Sequence, residues 1–435
     1  MASLWSWCSA TDVNNILRRL SPASLLALNR PPDQALTPAQ VESNIRHLVG
    51  DIAWFGFVWG SLIAFLQVYT VRLGASGLLV SAITYGPALV AIFWQIPAGR
   101  LMVRSGKRMS WVIGSGLVYR AVFLTIALLP FLLDRGVAQA TALVWVLSAF
   151  ASSFSNVSFL SMMADAVPPD RLQQLVGWRI AAFGLTSTIT TLLAGPLLRW
   201  LPFPLNYQVL FLLGFLGSMV SWWHVHQVRV PDRPPQSGTQ PAFWRELGEM
   251  LRFPGYMRFL IAIFALQMAL GMIGPLLPLY WVRSLDTTDQ QVSLILSTAT
   301  AVMVVGSLSM RRLVRRIGRE RALAMGALGY ALYPLLTALT TSVWWLIPWA
   351  AISGFFTAAI TVNVFDNLVS VTPEADRTNY MSVYNTVQNS ALFVGPVIAG
   401  VIAESAGGPG LGLKVAAGVA LIAGVLMALR QARPA

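Results

Sequence analysis

The chain has 435 residues, of which 56% are apolar and only 11% charged, and its formal net charge is +13. Soluble domains carry about 25% charged residues, so this composition excludes an ordinary water-soluble globule and points to lipid as the solvent. The positive charge raises nucleic acid as a partner, and its distribution along the chain removes that reading.

Residues 1–36 are polar and proline-rich and read as a cytoplasmic N-terminal tail. The opening MASLWSWCSA has neither a basic region nor a long apolar stretch, so no cleavable signal peptide is expected. The single cysteine, Cys8, has no intramolecular partner and reads as a free thiol. Thr37-Pro38-Ala39-Gln40 has the make-up of a helix start: Thr37 caps, Pro38 suits the first helical position, and Gln40 completes a capping box.

Spanning a bilayer as a helix takes about 20 apolar residues. Twelve such runs follow, near 51–71, 77–98, 110–131, 141–163, 173–195, 205–227, 257–281, 291–313, 321–341, 343–365, 379–402 and 411–430. We number them spans 1–12. Unbroken runs of this length exclude a β-barrel, whose strands alternate over about 10 residues. The expected fold is therefore an all-α membrane protein: a tail, a first six-helix bundle over 37–228, a cytoplasmic linker over 229–255, and a second bundle over 256–435. Within the linker, PDRPPQSGTQP breaks any helix, while Phe243, Trp244, Leu247, Met250 and Leu251 recur at helical spacing. That segment is either a helix lying on the membrane surface or an ordinary amphipathic linker helix.

With both termini inside, 23 of the 30 basic residues fall on inside segments and five outside, namely Arg72, Arg135, Arg199, Arg283 and Lys414. This bias follows the positive-inside rule and explains the charge without a nucleic-acid partner. Arg120 and Arg179 lie within spans. The 28 arginines against two lysines point to a GC-rich bacterial genome and an inner-membrane location.

The two halves resemble each other. GRLMVRSGKR (99–108) after span 2 is echoed by RRLVRRIGRE (311–320) after span 8: at an offset of 212, Leu101, Arg104, Gly106 and Lys107 correspond to Leu313, Arg316, Gly318 and Arg319. Pro168…Asp170-Arg171 is echoed by Pro373…Asp376-Arg377, and Gly195-Pro196 by Gly395-Pro396. Ser148, Ser152 and Asn156 in span 4 are echoed by Ser353, Thr357 and Thr361 in span 10. Four correspondences in matching places argue for a duplicated bundle.

On these residues the chain resembles the major facilitator superfamily, whose loop signature between spans 2 and 3 is G-x-L-x-D-R-x-G-R-R. Gly99, Leu101, Arg104, Gly106, Lys107 and Arg108 match it; Val103 stands where the family has Asp, which puts that element of the gating lock in doubt. The resemblance implies two bundles rocking about a central site lined by spans 1, 4, 7 and 10. It also implies a gating role for Gly99, Arg104, Gly106, Lys107 and Arg108 and for Arg316, Gly318 and Arg319. The plainer reading of these arginines is topological anchoring.

Polar groups inside a membrane are costly and therefore informative. Ser148, Ser152 and Asn156 share one helix face, as do Ser353, Thr357 and Thr361, either lining a cavity or bonding their own backbone. In span 5, Arg179, Phe183, Thr186 and Thr190 share a face; Arg179 either snorkels to the cytoplasm or ligates an anion. Span 11 carries Tyr380, Tyr384 and Gln388 on one stripe, beside Asn385 and Asn389, with Gln67 and Gln267 as counterparts in spans 1 and 7. The expected solute-binding set is Gln67, Ser152, Asn156, Arg179, Thr186, Gln267, Thr357, Thr361, Tyr384 and Gln388. Trp54, Trp59 and Phe65 either stack a ligand or face lipid. Arg120, in span 3 and away from the cavity in the family's layout, is expected to satisfy a partner in its own bundle.

The carboxylates Asp51, Asp165, Asp366 and Glu404 all fall near the ends of the apolar runs, which disfavours a central acid relay and a cation site. Gly274-Pro275 in span 7 is the expected moving hinge. The chain has no phosphate-binding loop, and His47, His224 and His226 are not spaced to hold a metal on one helix. No catalytic residue, metal or cofactor is expected. The reading is a secondary transporter of a small amphipathic, neutral or anionic solute, working by alternating access, with export one of two directions that the sequence leaves open. A lipid-moving or non-transporting protein of the same fold is the other reading. The expected partners are a small-molecule solute and membrane lipids, with the protein a monomer.

Overall fold

The computed structural model describes residues 36–105, 108–230, 253–372 and 377–431. The tail with Cys8, the 243–251 segment, Gly106 and Lys107 lie outside the described residues, as do the side chains of Arg104 and Arg108.

The capping box forms as the sequence predicts. The Gln40 N–H donates to Thr37 Oγ1 at 3.3 Å and the Thr37 N–H to Gln40 Oε1 at 3.0 Å. Because that cap fixes the start, span 1 begins at Pro38, well before its apolar run, and reaches Arg72. It is not one uniform helix. Pro38–Ser61 and Leu66–Arg72 are joined by a 3-10 turn, Ile63–Phe65, where the Ser61 hydroxyl donates back to the Phe57 carbonyl at 2.8 Å. Such local bonding competes with the helical ladder and bends it.

Spans 2–6 are Gly77–Ser105, Arg108–Leu132, Val137–Ala166, Pro169–Trp200 and Leu205–Gln227; spans 7 and 8 are Pro254–Arg283 and Asp289–Ile317. Span 9 is split into Arg319–Tyr330 and Leu332–Ala338, and Leu346–Ser370, Arg377–Ala403 and Gly408–Gln431 complete the chain. Among the described residues, eleven helices are long and apolar enough to cross a membrane; the twelfth is the split one. Pro334 explains the split, since it offers no N–H to the Tyr330 carbonyl and its ring crowds that carbonyl. The helix containing Gly274-Pro275, by contrast, runs unbroken from Pro254 to Arg283.

The packing repeats as the sequence does. Span 1 packs on 5 and 6, span 4 on 2 and 3, and span 3 on 6; in the second half, 7 packs on 11 and 12, 10 on 8 and 9, and 9 on 12. Each of these contacts in one bundle has its mate in the other, six spans later. The bundles meet through spans 2 and 11 and spans 5 and 8, again a related pair. Small residues bring these helices close, as apolar solvent requires. A Cβ on Gly400 would sit 2.8 Å from Leu78 Cα, and one on Gly184 would sit 2.2 Å from Val304 Cγ2. At the arginine-rich end, Gly318 ends span 8 with φ +84°, a conformation that favours glycine, and turns the chain into span 9.

Candidate functional site

A cavity of about 470 Å³ lies inside the first bundle, walled by spans 1, 3, 4, 5 and 6. Its charged members form one chain of contacts. Arg179, ten residues into span 5, donates through Nη1 to Asp51 Oδ2 at 3.3 Å and to the Leu48 carbonyl. Its guanidinium carbon lies 4.9 Å from the centre of the Phe159 ring. Asp51 Oδ1 accepts from the Ser221 hydroxyl at 2.7 Å, and that hydroxyl accepts from Arg120 Nη2 at 2.8 Å. Arg120 also donates to the Ser218 carbonyl at 2.8 Å and to the Gly116 carbonyl at 3.1 Å. The pair is well shielded: the Arg179 and Asp51 side chains are 12% and 7% exposed. Aromatic rings of Phe55, Trp59, Tyr119 and Trp145 complete the wall, with Ser152, Ser155 and Asn156 as its neutral polar part.

Asp51 opens the first apolar run, as expected, and stands well inside the helix that the Thr37 cap begins. It lies 13 residues inside span 1, about 20 Å from the first residue at 1.5 Å per residue, because the cap at Thr37 adds turns that the hydropathy window omits. Arg120 does satisfy partners in its own bundle, but it also lines the cavity, where the family's layout put it apart from the solute.

Of the predicted solute-binding residues, the fold brings Ser152, Asn156 and Arg179 onto this one cavity. Ser152 meanwhile donates to its own helix at the Ala149 carbonyl, 3.2 Å away. The others lie elsewhere. Thr186 donates to the Ala182 carbonyl at 2.9 Å and fills the space left by Gly56, so it sits in the packing of span 5 on span 1. Gln67 donates to Thr84 Oγ1 at 2.9 Å, joining spans 1 and 2. In the second bundle Gln267 lies beside the Tyr384 hydroxyl, and Tyr330 of span 9 lies beside Ser353 and Thr357. Thr361 is exposed and Gln388 half-buried. Trp59 packs edge-on against Phe183 at 5.8 Å, whereas Phe65 is buried in the core and offers nothing to a ligand. The face shared by Ser152 and Asn156 was legible from their spacing. In the sequence Asp51 stands only as a carboxylate near a run end, and Ser155 and Ser221 are not singled out; opposite charges at similar depth in spans 1 and 5 are the signal that pairs Asp51 with Arg179.

The two bundles are tied at the end opposite the arginine-rich loops. Arg72, closing span 1, bonds Asp289 at 3.1 Å and the Thr287 carbonyl at the start of span 8. Arg283, closing span 7, bonds Glu404 at 3.2 Å and the Ala75 carbonyl at 2.6 Å before span 2. Arg72 corresponds to Arg283, and Ala75 to Thr287, at close to the repeat offset of 212. Each bundle therefore clasps the other through the same guanidinium-to-carbonyl contact. Tyr207 adds its hydroxyl to Asp289 at 2.7 Å, and the Gly77 N–H donates to Glu404. Among the described residues, every ion pair between the bundles lies at this end. Of the gating residues inferred at the other end, Arg316, Gly318 and Arg319 are exposed.

A family model described as Major Facilitator Superfamily matches the chain twice, over residues 52–268 and 259–435. A protein described as a multi-drug resistance efflux pump PmrA homolog, from Lactococcus lactis subsp. lactis (strain IL1403), is 23% identical over 374 residues, which is 81% of this chain and 87% of the relative. The solved nucleoside transporter NupG aligns with a TM-score of 0.70 at 14% identity, over 89% of this chain and all of that one (100%). A POT family transporter in complex with a thioalcohol conjugated peptide gives a TM-score of 0.71 at 13% identity, over 90% and 99%. At such identities the structural likeness concerns the fold alone.

Proposed function

Since the chain belongs to the Major Facilitator Superfamily, we propose that it is a secondary transporter that exports a small amphipathic solute by alternating access. In this reading the arginine-rich loops face the cytoplasm, as the positive-inside rule requires, and the clasped end faces outward. The described state is then closed outside, with solute entering from the cytoplasmic side.

The observation that carries the proposal is the pairing of a shielded, aromatic and charged cavity with a two-fold-related clasp at one end only. A rocking carrier needs a solute site and a closure that breaks and re-forms at each face; the cavity is walled by the first bundle alone, where the family's layout has spans 7 and 10 share it. The similarity to a described efflux pump supports export. Ser152, Asn156 and Arg179 are assigned to solute binding; Gln67, Thr186, Gln267, Thr357 and Tyr384 to holding the helices around the site.

A screen of metabolites and drugs by thermal stabilisation of the reconstituted chain supplies candidate solutes, because any ligand of the folded state raises its apparent stability, by about 2.7 kcal/mol at 100 times its Kd. A hit is then followed across proteoliposome membranes. Substrate-dependent counterflow that falls tenfold or more on Asn156→Leu is the expected result. Binding without movement of any hit would leave a sensor of the same fold and overturn transport.

A further inference from the structure

We propose that the cavity in the first bundle binds a soluble monoanion with an apolar, ring-bearing body, its anionic group seated on the free edge of Arg179. The proposal takes its purpose from the transport reading, but its chemistry stands on the cavity alone.

The charge balance of the wall is the first argument. Two guanidiniums, Arg120 and Arg179, face one carboxylate, Asp51, among the lining residues. The carbonyls of Gly116 and Ser218 and the Ser221 hydroxyl satisfy the N–H groups of Arg120, yet they bring no negative charge. His224, the next ionisable neighbour of Asp51, adds positive charge when it protonates and never negative. The wall is thus left with one uncompensated positive charge in a shielded place, which is costly. A monoanion balances it. A cation deepens the imbalance, and a dianion reverses it.

Geometry is the second argument. Both polar contacts of Arg179 leave from Nη1. Among the described residues its Nη2 and Nε meet no acceptor, so one edge of the planar fork remains for a carboxylate, sulfonate or phosphate oxygen pair. The Phe159 ring beside the guanidinium helps fix its position. Around it, Trp59, Trp145 and Tyr119 provide apolar faces, and the exposed Asn156 offers an amide to the rim. The volume falls within the range of about 300–1,000 Å³ seen for small-molecule pockets.

The test uses the full chain in phosphatidylcholine nanodiscs and three probes of one shape: tritiated 4-phenylbutyrate, competed by unlabelled 4-phenylbutyrate, 4-phenylbutanamide or 4-phenylbutylamine. The carboxylate is expected to compete at least tenfold better than the amide or the amine. Arg179→Gln is expected to abolish that preference and Arg179→Lys to retain part of it. Asp51→Asn removes the internal competitor and is expected to tighten carboxylate binding about tenfold, a gain that a misfolded variant does not produce. Equal binding of carboxylate and amide, or no tightening in Asp51→Asn, overturns the anion site. Displacement of the probe by phosphatidylglycerol added to the nanodiscs assigns the anion to a lipid headgroup and overturns a soluble ligand. Proteoliposomes separate the two readings. Movement of the amide without the carboxylate leaves transport standing and removes the anion site. Anion binding as expected with no probe moving leaves the site and removes transport.

Discussion

Ser221 joins two charges that do not touch. Its hydroxyl accepts from Arg120 at 2.8 Å and donates to Asp51 at 2.7 Å, so one small side chain carries a link from span 3 through span 6 to span 1. Ser221→Ala leaves a buried guanidinium N–H and a buried carboxylate oxygen each short of a partner, at a cost of about 1–3 kcal/mol. The expected result is a lower apparent unfolding temperature in nanodiscs, with Ser221→Thr close to the parent; an unshifted alanine variant would show that the link carries no energy. This chain was only half legible in the sequence. Arg179 declared itself as a charge inside an apolar run, and Arg120 likewise. Their shared carboxylate did not, because Asp51 opens an apolar window whose helix starts 13 residues earlier at a polar cap. Ser221 carried no signal at all, since a lone serine in a span most often bonds its own backbone.

Helix breakers show the same limit at the scale of elements. Pro334 splits span 9, while Pro275 and Pro278 sit inside an unbroken span 7. The residue type is identical; the surroundings decide, and the neighbours of a buried helix can re-satisfy the groups a proline frees. What the sequence did predict well is local: the Thr37 cap and the span order, both set by residues close together in the chain. Contacts between helices are set by shape. Gly400 of span 11 is an example, because its missing Cβ lets span 2 approach to where that atom would stand 2.8 Å from Leu78 Cα and 3.2 Å from the Gly77 carbonyl. Both are backbone atoms and cannot swing away. Gly400→Val is therefore expected to hold the bundles apart at the clasped end. Thiol labelling of Ala75→Cys in a Cys8→Ser background reads this directly: Ala75 is 3% exposed when clasped, and labelling should accelerate several-fold with Gly400→Val. Unchanged labelling would place the hinge of closure elsewhere.

The whole molecule then turns on how strongly the clasp holds. Arg72 and Asp289 are 22% and 16% exposed and Arg283 and Glu404 are 35% and 47% exposed, so neither ion pair is deeply shielded and each contributes on the order of 1 kcal/mol or less. That weakness suits a carrier, which must populate both faces; a strong lock would trap one of them. It also makes the clasp sensitive to acid. The Gly77 N–H, and after it Arg283, hold the Glu404 carboxyl below the usual carboxylate range. A lowered pKa in the clasped state means that clasping favours the charged form. The contribution is whole above the ordinary range and is lost as the pH at that face falls through the lowered value. Acidifying the clasped face alone is therefore expected to raise Ala75→Cys labelling in the parent background relative to an always-exposed control cysteine at the same pH, which corrects for the falling thiolate fraction. Glu404→Gln should label faster already at neutral pH and lose the part of the acid response that Glu404 supplies, because its amide still accepts from Gly77 but no longer pairs with Arg283. Arg72→Gln, acting on the related contact in the other bundle, should raise labelling by a similar factor while leaving the Glu404 acid response in place. An acid response that persists undiminished in Glu404→Gln would assign the sensitivity to another group and reduce this ion pair to packing.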